Sequence, residues 1–269
     1  MKQVVIGGVK VSRLCIGGNP FSGFSHQTPA RDQQMLDYFS TPQRIWETLD
    51  AAQAVGVNTV FARVDDHILG VLEEYFHHGG TLQWFAQVSE DPADRKTGEP
   101  TWQDWMRKAV DVGATGLYIH GGLAEFWQAQ GQMQLLHEAM HLMRGFGKVC
   151  GFAGHRPDLH AWIRDHLSPD FQMCSHYNPT DRRQSFQHTN VNEKWDTVDR
   201  SAMLEVVATI ACPVVHYKIF AGGNRPIEEA FVTLGQSMRS SDIACVGVFP
   251  PDDPGMIVQD VALLEKHVV

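Results

Sequence analysis

The chain has 269 residues, of which 43% are hydrophobic and 20% are charged. A chain of this length buries about three quarters of the surface that its unfolded form exposes, so it needs no disulfide or metal to fold. Its net charge is −9 at pH 7 and its lysines and arginines form no run. A nucleic-acid partner is therefore excluded, because binding to a phosphate backbone requires a basic face.

The sequence also argues against a membrane protein. No stretch approaches the roughly 20 apolar residues that a membrane-spanning helix needs. Residues 1–13 lack the continuous apolar core of a signal peptide. The five cysteines lie in or beside apolar runs, at no zinc-finger or paired spacing, as reduced and buried thiols do. We expect a cytoplasmic protein.

The chain opens with a predicted β-hairpin, in which VVI and VKVS flank Gly7-Gly8, a pair suited to a two-residue turn. Eight apolar runs follow and are predicted as strands, at residues 13–18, 58–63, 81–88, 115–121, 149–154, 171–176, 213–219 and 243–248. They lack the clean alternation of a half-exposed strand, which is typical of strands buried on both faces of a parallel sheet.

A helical pattern follows each of these strands, at residues 41–55, 66–78, 101–112, 123–145, 157–166, 199–211, 225–237 and 253–267. Eight βα units in about 250 residues predict an α/β protein, a single-domain TIM (β/α)8 barrel over residues 1–269. Two connections remain long, at 18–40 and 177–198. Loops of this length at the carboxyl ends of barrel strands usually build the active site.

Histidines lie at the ends of four consecutive predicted strands, at positions 120, 155, 176 and 216. Imidazoles that converge with a carboxylate suit a divalent transition metal. We therefore expect zinc, manganese, iron or nickel to be held by His120, His176 and Asp65. Two alternatives stay open, since the histidines would equally serve as hydrogen-bonding substrate contacts without a metal, or as structural residues.

Two further charged side chains lie at predicted strand ends. Lys218 stands between apolar neighbours, where a desolvated lysine serves as a base, although a lysine extending its ammonium group into solvent fits equally well. Arg63 would bind a substrate carboxylate or neutralise the adjacent Asp65 and Asp66. The predicted catalytic residues are Asp66, His120 and Lys218, and the predicted substrate-binding residues are Arg63, His155, Asn178 and Tyr217.

One local motif matches a zinc-binding pattern, but we interpret it as part of a scaffold helix. His137 to His141 read H-E-x-x-H, which places two imidazoles one helical turn apart. No third ligand follows at a suitable spacing, and the segment falls on a helix outside the predicted barrel. We expect an amphipathic scaffold helix.

Over nearly its whole length the sequence resembles an aldo-keto reductase. The similar segments occur in the family's order and are VSRLCIGGNPF, AVGVNTVFARVDD, GLYIHGG, GFGKVCGFAGHRPDLHAWI, HYNPTDRR, YKIFAGG and DDPGMIVQDVALLE. The resemblance implies a TIM barrel whose bottom is covered by the N-terminal hairpin. It also implies, as the family's activity, reduction of a carbonyl by hydride from NADPH.

The family's catalytic residues mostly do not carry over. Aldo-keto reductases protonate the carbonyl with a tyrosine that is assisted by an aspartate, a lysine and a histidine. The resemblance places the aspartate position at Phe61, the tyrosine position near Asp66 and the lysine position at Gln87. Of the four positions, only His120 retains the family's residue.

The cofactor-binding positions differ as well. The serine and asparagine that bind the nicotinamide amide fall at Ala153 and Gly154, although Tyr217 stands where the family stacks a tyrosine on the nicotinamide. Asp252 and Asp253 replace basic residues that bind the NADP phosphate, and two carboxylates repel a 2′-phosphate. NADP is thus the less expected cofactor.

Three functions remain in view. The main expectation is a divalent-metal-dependent lyase, isomerase or hydrolase acting on a small hydroxy-carbonyl compound such as a sugar or sugar acid, with the metal polarising the substrate oxygen. The alternative is a divergent NAD(P)H-dependent aldo-keto reductase with Asp66 or His120 as proton donor. A non-catalytic binding or auxiliary protein is the second alternative. The expected partner is a small molecule, and the sequence leaves the oligomeric state open.

Overall fold

A computed structural model describes residues 1–90, 96–180 and 193–268. Its chain begins with the antiparallel strands β1 (Gln3–Ile6) and β2 (Val9–Ser12). Gly7 and Gly8 join them with φ angles of +55° and +84°, and a two-residue turn with positive φ at both positions favours glycine. The predicted hairpin is confirmed.

Eight parallel strands close into a barrel. They are β3 (Leu14–Gly17), β4 (Thr59–Arg63), β5 (Gln83–Val88), β6 (Gly116–Ile119), β7 (Val149–Gly154), β8 (Phe171–Ser175), β9 (Val214–Tyr217) and β10 (Ile243–Gly247). Each strand pairs with its neighbour in the chain, and β10 pairs with β3 to complete the circle. The TIM barrel predicted from the alternation of apolar runs and helical patterns is confirmed.

The α-helices surround the barrel. They are α1 (Pro29–Phe39), α2 (Pro42–Ala54), α3 (Asp66–His77), α4 (Trp102–Val112), α5 (Gly121–Ala129), α6 (Gln134–Gly145), α7 (Pro157–His166), α8 (Thr197–Val207), α9 (Ile227–Ser237) and α10 (Met256–His267). The segment predicted as one helix at 123–145 forms two, α5 and α6, because the chain turns between them at Gly131, whose φ is +70°.

Helix α1 lies in a segment that the sequence predicted as a long loop. Its start is fixed by Thr28, whose side chain accepts a hydrogen bond from the amide of Arg31, and by Pro29 in the first turn. Met35 and Phe39 lie one turn apart and are both buried. The other long connection, 177–198, includes residues 181–192, which lie outside the described residues.

An aromatic cluster fills the interior of the barrel. The rings of Phe61 and Phe85 lie 4.9 Å apart between centroids, and Tyr118 and Phe171 contact them edge-on. Such pairs contribute about 0.5–1.5 kcal/mol each beyond the burial of their area. Ile6 and Val11 of the hairpin belong to the same buried cluster, so the hairpin closes the bottom of the barrel as the resemblance implied.

The outer faces of the strands pack against the helices. Trp84 on β5 is fully buried there, and its indole nitrogen donates to the carbonyl oxygen of Ala62 at 3.0 Å. No helix in the described part of the chain is long and apolar enough to cross a membrane. With the bottom closed and the interior filled, the carboxyl ends of the strands are the place for a site.

Helix α6 carries the H-E-x-x-H motif on its exposed side. His137 and His141 both face solvent, whereas Leu136, Ala139 and Met143 are buried. The structure thus gives α6 the scaffold role that its sequence predicted.

Candidate active site

A cavity of about 600 Å³ opens at the carboxyl ends of the barrel strands, a size typical of ligand pockets. Its wall extends from His120, which follows β6, to Met256 at the start of α10. The segments after β3 and after β9 contribute much of the remaining lining. Catalytic residues of TIM barrels stand at this end.

The cavity is basic in an acidic protein. Among the described residues that line it, Arg31, Arg63, Lys218 and Arg225 are basic and Asp252 is acidic. The chain as a whole has a net charge of −9. A concave site whose charge is opposite to that of the whole protein attracts an anionic ligand.

Three side chains form a hydrogen-bonded series that reaches this cavity. The hydroxyl of Tyr217, which lines the cavity, lies 3.1 Å from Nε2 of His155 and 3.3 Å from the carbonyl oxygen of Gly154. Nδ1 of His155 lies 3.2 Å from Oε1 of Glu125, which also accepts a short hydrogen bond from the main-chain nitrogen of His155. We call Glu125, His155 and Tyr217 the relay.

The start of α5 brings Glu125 to His155. A Cβ at Gly121 would lie 2.9 Å from Cα of Gly154 and 3.1 Å from Nδ1 of His155. Glycine at position 121 therefore lets the helix lie directly against the end of β7. Glu125 follows one turn later, among the buried residues of α5. An acidic residue among the otherwise apolar buried residues of α5 is the signal that could have pointed to Glu125 from the sequence.

Tyr118 lines the inner end of the cavity. Its hydroxyl accepts a hydrogen bond of 3.2 Å from Nε2 of Gln87. Burial, with a smaller contribution from Cys245, raises the pKa of the Tyr118 phenol well above its usual range. Its hydroxyl therefore stays protonated at neutral pH, and Tyr118 lines the cavity together with His120.

Lys218 and His26 contact each other in the cavity lining. Nζ of Lys218 lies 2.5 Å from Nε2 of His26, and Nδ1 of His26 lies 3.3 Å from Oε1 of Glu193. Lys218, His26 and Ala221 have positive φ angles of +55°, +60° and +52°. Non-glycine residues in this region are strained, and such strain is concentrated at functional sites. His26 is thus a fixed part of the wall, because only 8% of its side chain is exposed.

Arg63 is held over the cavity from two sides. Its Nε lies 3.3 Å from Oδ2 of Asp65, and its guanidinium stacks 4.9 Å from the ring centroid of Phe24. Burial lowers its pKa, and Asp65 opposes that change. The group remains a cation, as arginine does in proteins.

The two carboxylates after β4 that were predicted to act in the site lie elsewhere. Asp65 caps α3, where its Oδ1 accepts a hydrogen bond of 2.8 Å from the amide of Ile68. The side chain of Asp66 is 84% exposed and pairs with Lys108 on α4 at 3.2 Å. Neither lines the cavity. The chain enters α3 here, so Asp65 turns back to the helix end and Asp66 points outward.

His176 also lies outside the cavity. Side chains alternate along a strand: Met173 belongs to the inner cluster and Cys174 packs against α8. His176, two residues further, lies on the outer side with Nε2 3.0 Å from Nδ1 of His216. Burial, together with the charges of His216 and Arg200, lowers its pKa well below the usual value.

The expected metal site is therefore not formed. In residues 1–90, 96–180 and 193–268, no group of three or more His, Cys, Asp or Glu side chains lies close enough together to hold a metal ion. His120 lines the cavity, whereas its two expected fellow ligands, Asp65 and His176, do not. The sequence places all three near strand ends, but their side chains point in different directions.

The predicted site residues thus divide into two groups. The cavity brings together Arg63, His120, His155, Tyr217 and Lys218. Asp65, Asp66, His176 and Asn178 lie outside its lining; the amide of Asn178 donates to Asp199 at 3.3 Å. Residues of the site that the sequence did not point to are Arg31, Tyr118, Glu125 and Arg225.

Solved structures with a similar fold span nearly the whole chain. A protein from Pseudomonas aeruginosa assigned to the aldo-keto reductases is 14% identical, with a TM-score of 0.66 over 98% of this chain and 95% of that one. The chain has the aldo-keto reductase fold. A holo aldo-keto reductase from Bacillus halodurans is 13% identical, with a TM-score of 0.59 over 100% of this chain and 92% of its own.

A third similar structure is an aldo-keto reductase from Brucella melitensis, which is 7% identical and has a TM-score of 0.55 over 100% of this chain and 95% of that one. No protein-family model and no curated protein sequence matches the chain. The resemblance seen in the sequence is confirmed at the level of the fold. Identities this low leave the activity to be argued from the site.

Proposed function

We propose that the chain is an oxidoreductase of the aldo-keto reductase type that interconverts a small hydroxy acid and its oxo acid with a nicotinamide dinucleotide. The observation that carries this proposal is the basic cavity in an acidic protein. A dinucleotide carries a pyrophosphate and a small hydroxy or oxo acid carries a carboxylate, so both ligands are anions that such a cavity attracts. The similar folds support the reaction class.

The residues present suit a dinucleotide. Lys218 and Arg225 flank Gly222 and Gly223 in the segment after β9, and all four line the cavity. The basic side chains would pair with phosphate oxygens, and glycines leave the main chain open to a close approach. When bound, the nicotinamide would supply or accept a hydride, and proton transfer and substrate orientation would fall to the protein's side chains.

One feature favours NAD(H) over NADP(H). Asp252 lines the cavity and forms an ion pair with Arg31, and the resemblance places it where the family holds the 2′-phosphate. A carboxylate there repels a phosphate and accepts a hydrogen bond from a ribose hydroxyl. Arg31 is already engaged by this carboxylate and by the ring of Phe249, 4.5 Å away.

The other end of the cavity suits the acid. Arg63, steered by Asp65 and Phe24, would pair with the substrate carboxylate, and His120 would bind the hydroxyl or carbonyl oxygen. The metal-dependent lyase or isomerase expected from the sequence is not part of this proposal, because the described residues offer no ligand set for the ion.

Titration with NADH and NADPH tests the cofactor. The signal is quenching of tryptophan fluorescence, which Trp195 beside His26 would report. We expect NADH to bind at least about tenfold more tightly than NADPH, since one unfavourable charge contact of about 1.4 kcal/mol changes affinity tenfold. Absence of saturable binding by either nucleotide at millimolar concentration would refute the proposal.

A matched pair of variants tests the role of Asp252. Asp252→Asn removes the negative charge and releases Arg31, so it should narrow the preference for NADH. Asp253→Asn is the control, because Asp253 lies outside the cavity lining and accepts a hydrogen bond from the amide of Gly255. Equal effects of the two variants would contradict the role of Asp252.

The substrate class is tested by following the formation of NADH through its absorbance at 340 nm. Two-carbon to six-carbon 2-hydroxy acids are compared with the corresponding neutral diols. Arg63→Met should raise KM for the acids and leave KM for the diols unchanged, since it removes only the carboxylate partner. Equal turnover of acids and diols by the unmodified protein would argue against an acidic substrate.

A further inference from the structure

We propose that Tyr217 is the acid–base residue of this site and that His155 and Glu125 act behind it as a proton relay. The placement of Tyr217 in contact with substrate rests on the proposed function, whereas the relay rests on the geometry alone. The resemblance places the catalytic tyrosine and lysine of aldo-keto reductases near Asp66 and at Gln87, where this chain has other residues. The relay supplies a hydroxyl and a base from different strands.

The proposed direction of proton transfer takes the Glu125 carboxyl as ionised. An ionised carboxylate only accepts hydrogen bonds. Glu125 accepts from the main-chain nitrogen of His155 and, at 3.2 Å, from Nδ1 of its ring. In the proposed arrangement a neutral His155 carries its proton on Nδ1, so its Nε2 accepts from the hydroxyl of Tyr217 at 3.1 Å. The carbonyl oxygen of Gly154, 3.3 Å from this hydroxyl, is a second acceptor for the same proton. Orienting group, base and reacting hydroxyl thus follow one another as in a catalytic triad.

Burial strengthens these contacts. The side chains of His155 and Glu125 are 2% and 0% exposed, whereas Tyr217 is half-buried and reaches the cavity. Hydrogen bonds to charged groups are stronger where water is excluded. A buried carboxylate is costly unless donors surround it, and the imidazolium that forms on proton transfer would compensate that cost.

The proposed step moves two protons and creates no unbalanced charge. The hydroxyl proton of Tyr217 passes to Nε2 of His155 while the phenolate oxygen takes the proton of the substrate hydroxyl. The substrate becomes an oxyanion and His155 becomes an imidazolium facing the Glu125 carboxylate. In the opposite direction, Tyr217 protonates the substrate oxyanion and His155 returns its proton.

The relay differs from a stacking role for Tyr217. The family resemblance implies a ring that stacks on the nicotinamide, and that role needs only the aromatic face. The relay needs the hydroxyl. Tyr217→Phe separates the two, since it keeps the ring: NADH affinity should stay within about twofold, whereas kcat should fall by about 10²–10⁴, the usual contribution of a general acid or base.

Nuclear magnetic resonance tests the relay in the unmodified protein and without any substrate, and a variant serves only to assign the signal. Long-range ¹H–¹⁵N spectra of protein labelled at its 14 histidines distinguish the two imidazole tautomers, and loss of a signal in His155→Asn assigns His155. We expect neutral His155 to carry its proton on Nδ1. A proton on Nε2 would overturn the proposal.

A reactive probe tests the activation of Tyr217. Phenylmethanesulfonyl fluoride reacts at an activated phenol: the oxygen of Tyr217 bonds to sulfur, the sulfur–fluorine bond breaks, fluoride leaves and the phenol proton passes to His155. Peptide mass spectrometry follows the label. We expect Tyr217 to be modified at least tenfold faster than the half-buried Tyr38.

Glu125→Gln and His155→Asn should each slow this labelling at least tenfold. His160→Asn is the matched control, because His160 is buried and contacts the same Gly154 carbonyl at 3.2 Å but not Tyr217. Labelling of Tyr217 at the rate of Tyr38, or at an unchanged rate in both relay variants, would overturn the relay. Failure of nucleotide binding would refute the proposed function and leave the labelling result intact.

Discussion

Asp260 should make the folded protein less stable as the pH rises, which is opposite to the usual effect of an aspartate in a folded protein. This carboxyl lies on α10, is 3% exposed, and faces the charge of Asp253. Burial first, and Asp253 second, raise its pKa from 3.8 to about 7. The folded protein therefore binds this proton more tightly than the unfolded chain does, and stability is lost as the pH rises from about 4 to about 7.

The size of the effect follows from the shift of about three pKa units. Each unit corresponds to 1.36 kcal/mol, so ionisation of Asp260 should cost about 4 kcal/mol of folding free energy above pH 7. About 2.5 kcal/mol of this loss falls between pH 5 and pH 8, because the group is already largely ionised in the unfolded chain at pH 5 and the rest of the loss occurs at lower pH. Asp260→Asn has no proton to lose and should be free of the whole effect.

Urea unfolding of both proteins at several pH values measures this difference. The stability of Asp260→Asn relative to the unmodified protein should increase by about 2.5 kcal/mol from pH 5 to pH 8. Asp50→Asn, at an exposed position in the middle of α2, is the control and should show no such change. If the difference between Asp260→Asn and the unmodified protein is constant across this range, the reasoning from burial is wrong.

Three further changes test the packing around the site. Trp84→Ala should cost about 3–5 kcal/mol in urea unfolding, since it empties a fully buried site; a cost below about 1 kcal/mol would contradict the packing. Gly121→Ala should cost about 1–3 kcal/mol and slow labelling of Tyr217, because its Cβ would lie 3.1 Å from Nδ1 of His155; unchanged labelling would show that α5 adjusts freely. Asp242 is buried, which by itself would raise its pKa, but His216 at 3.5 Å and hydrogen bonds from Arg239 and the amide of Val214 lower it below 3.8. Asp242→Asn should therefore cost stability at neutral pH and less below about pH 4, and an equal cost in acid unfolding would refute this.

The proposed relay would place the reacting groups on other elements than the family resemblance implies. The resemblance implies a tyrosine after β4 and a lysine on β5, whereas the proposed relay uses a hydroxyl on β9, a base after β7 and a carboxylate on α5. A site assembled from strand ends tolerates such an exchange, because every strand of the barrel delivers side chains to the same end.

The local pattern of the sequence was sufficient to predict the barrel. Apolar runs at regular spacing, the Gly7-Gly8 turn and prolines in first helical turns each act over a few residues, and the structure contains the hairpin and all eight predicted strands. Helix α1 was not predicted, although it begins with a threonine followed by a proline, as the predicted helix α2 does. Its signal is local too, and the length of the segment obscured it.

The site depended on the tertiary structure. Sequence position showed that His120, His155 and Tyr217 lie near strand ends, but it gave no direction for their side chains. His176 points outward because the barrel's closure fixes which residues of β8 face the interior, as Met173 and Cys174 show. Asp65 caps α3 and Asp66 forms a surface ion pair, because the entry of the chain into α3 sets the direction of both side chains.

Glu125 shows most clearly what could not be predicted from the sequence. Its nearest functional partner, His155, is 30 residues away in the chain, and no periodicity links a position on α5 to the residue after β7. Their contact arises only when α5 packs against β7, at a distance that Gly121 permits. Local propensity acts between neighbours in the chain and so determines the elements, whereas a catalytic geometry joins distant residues and is decided by how those elements pack.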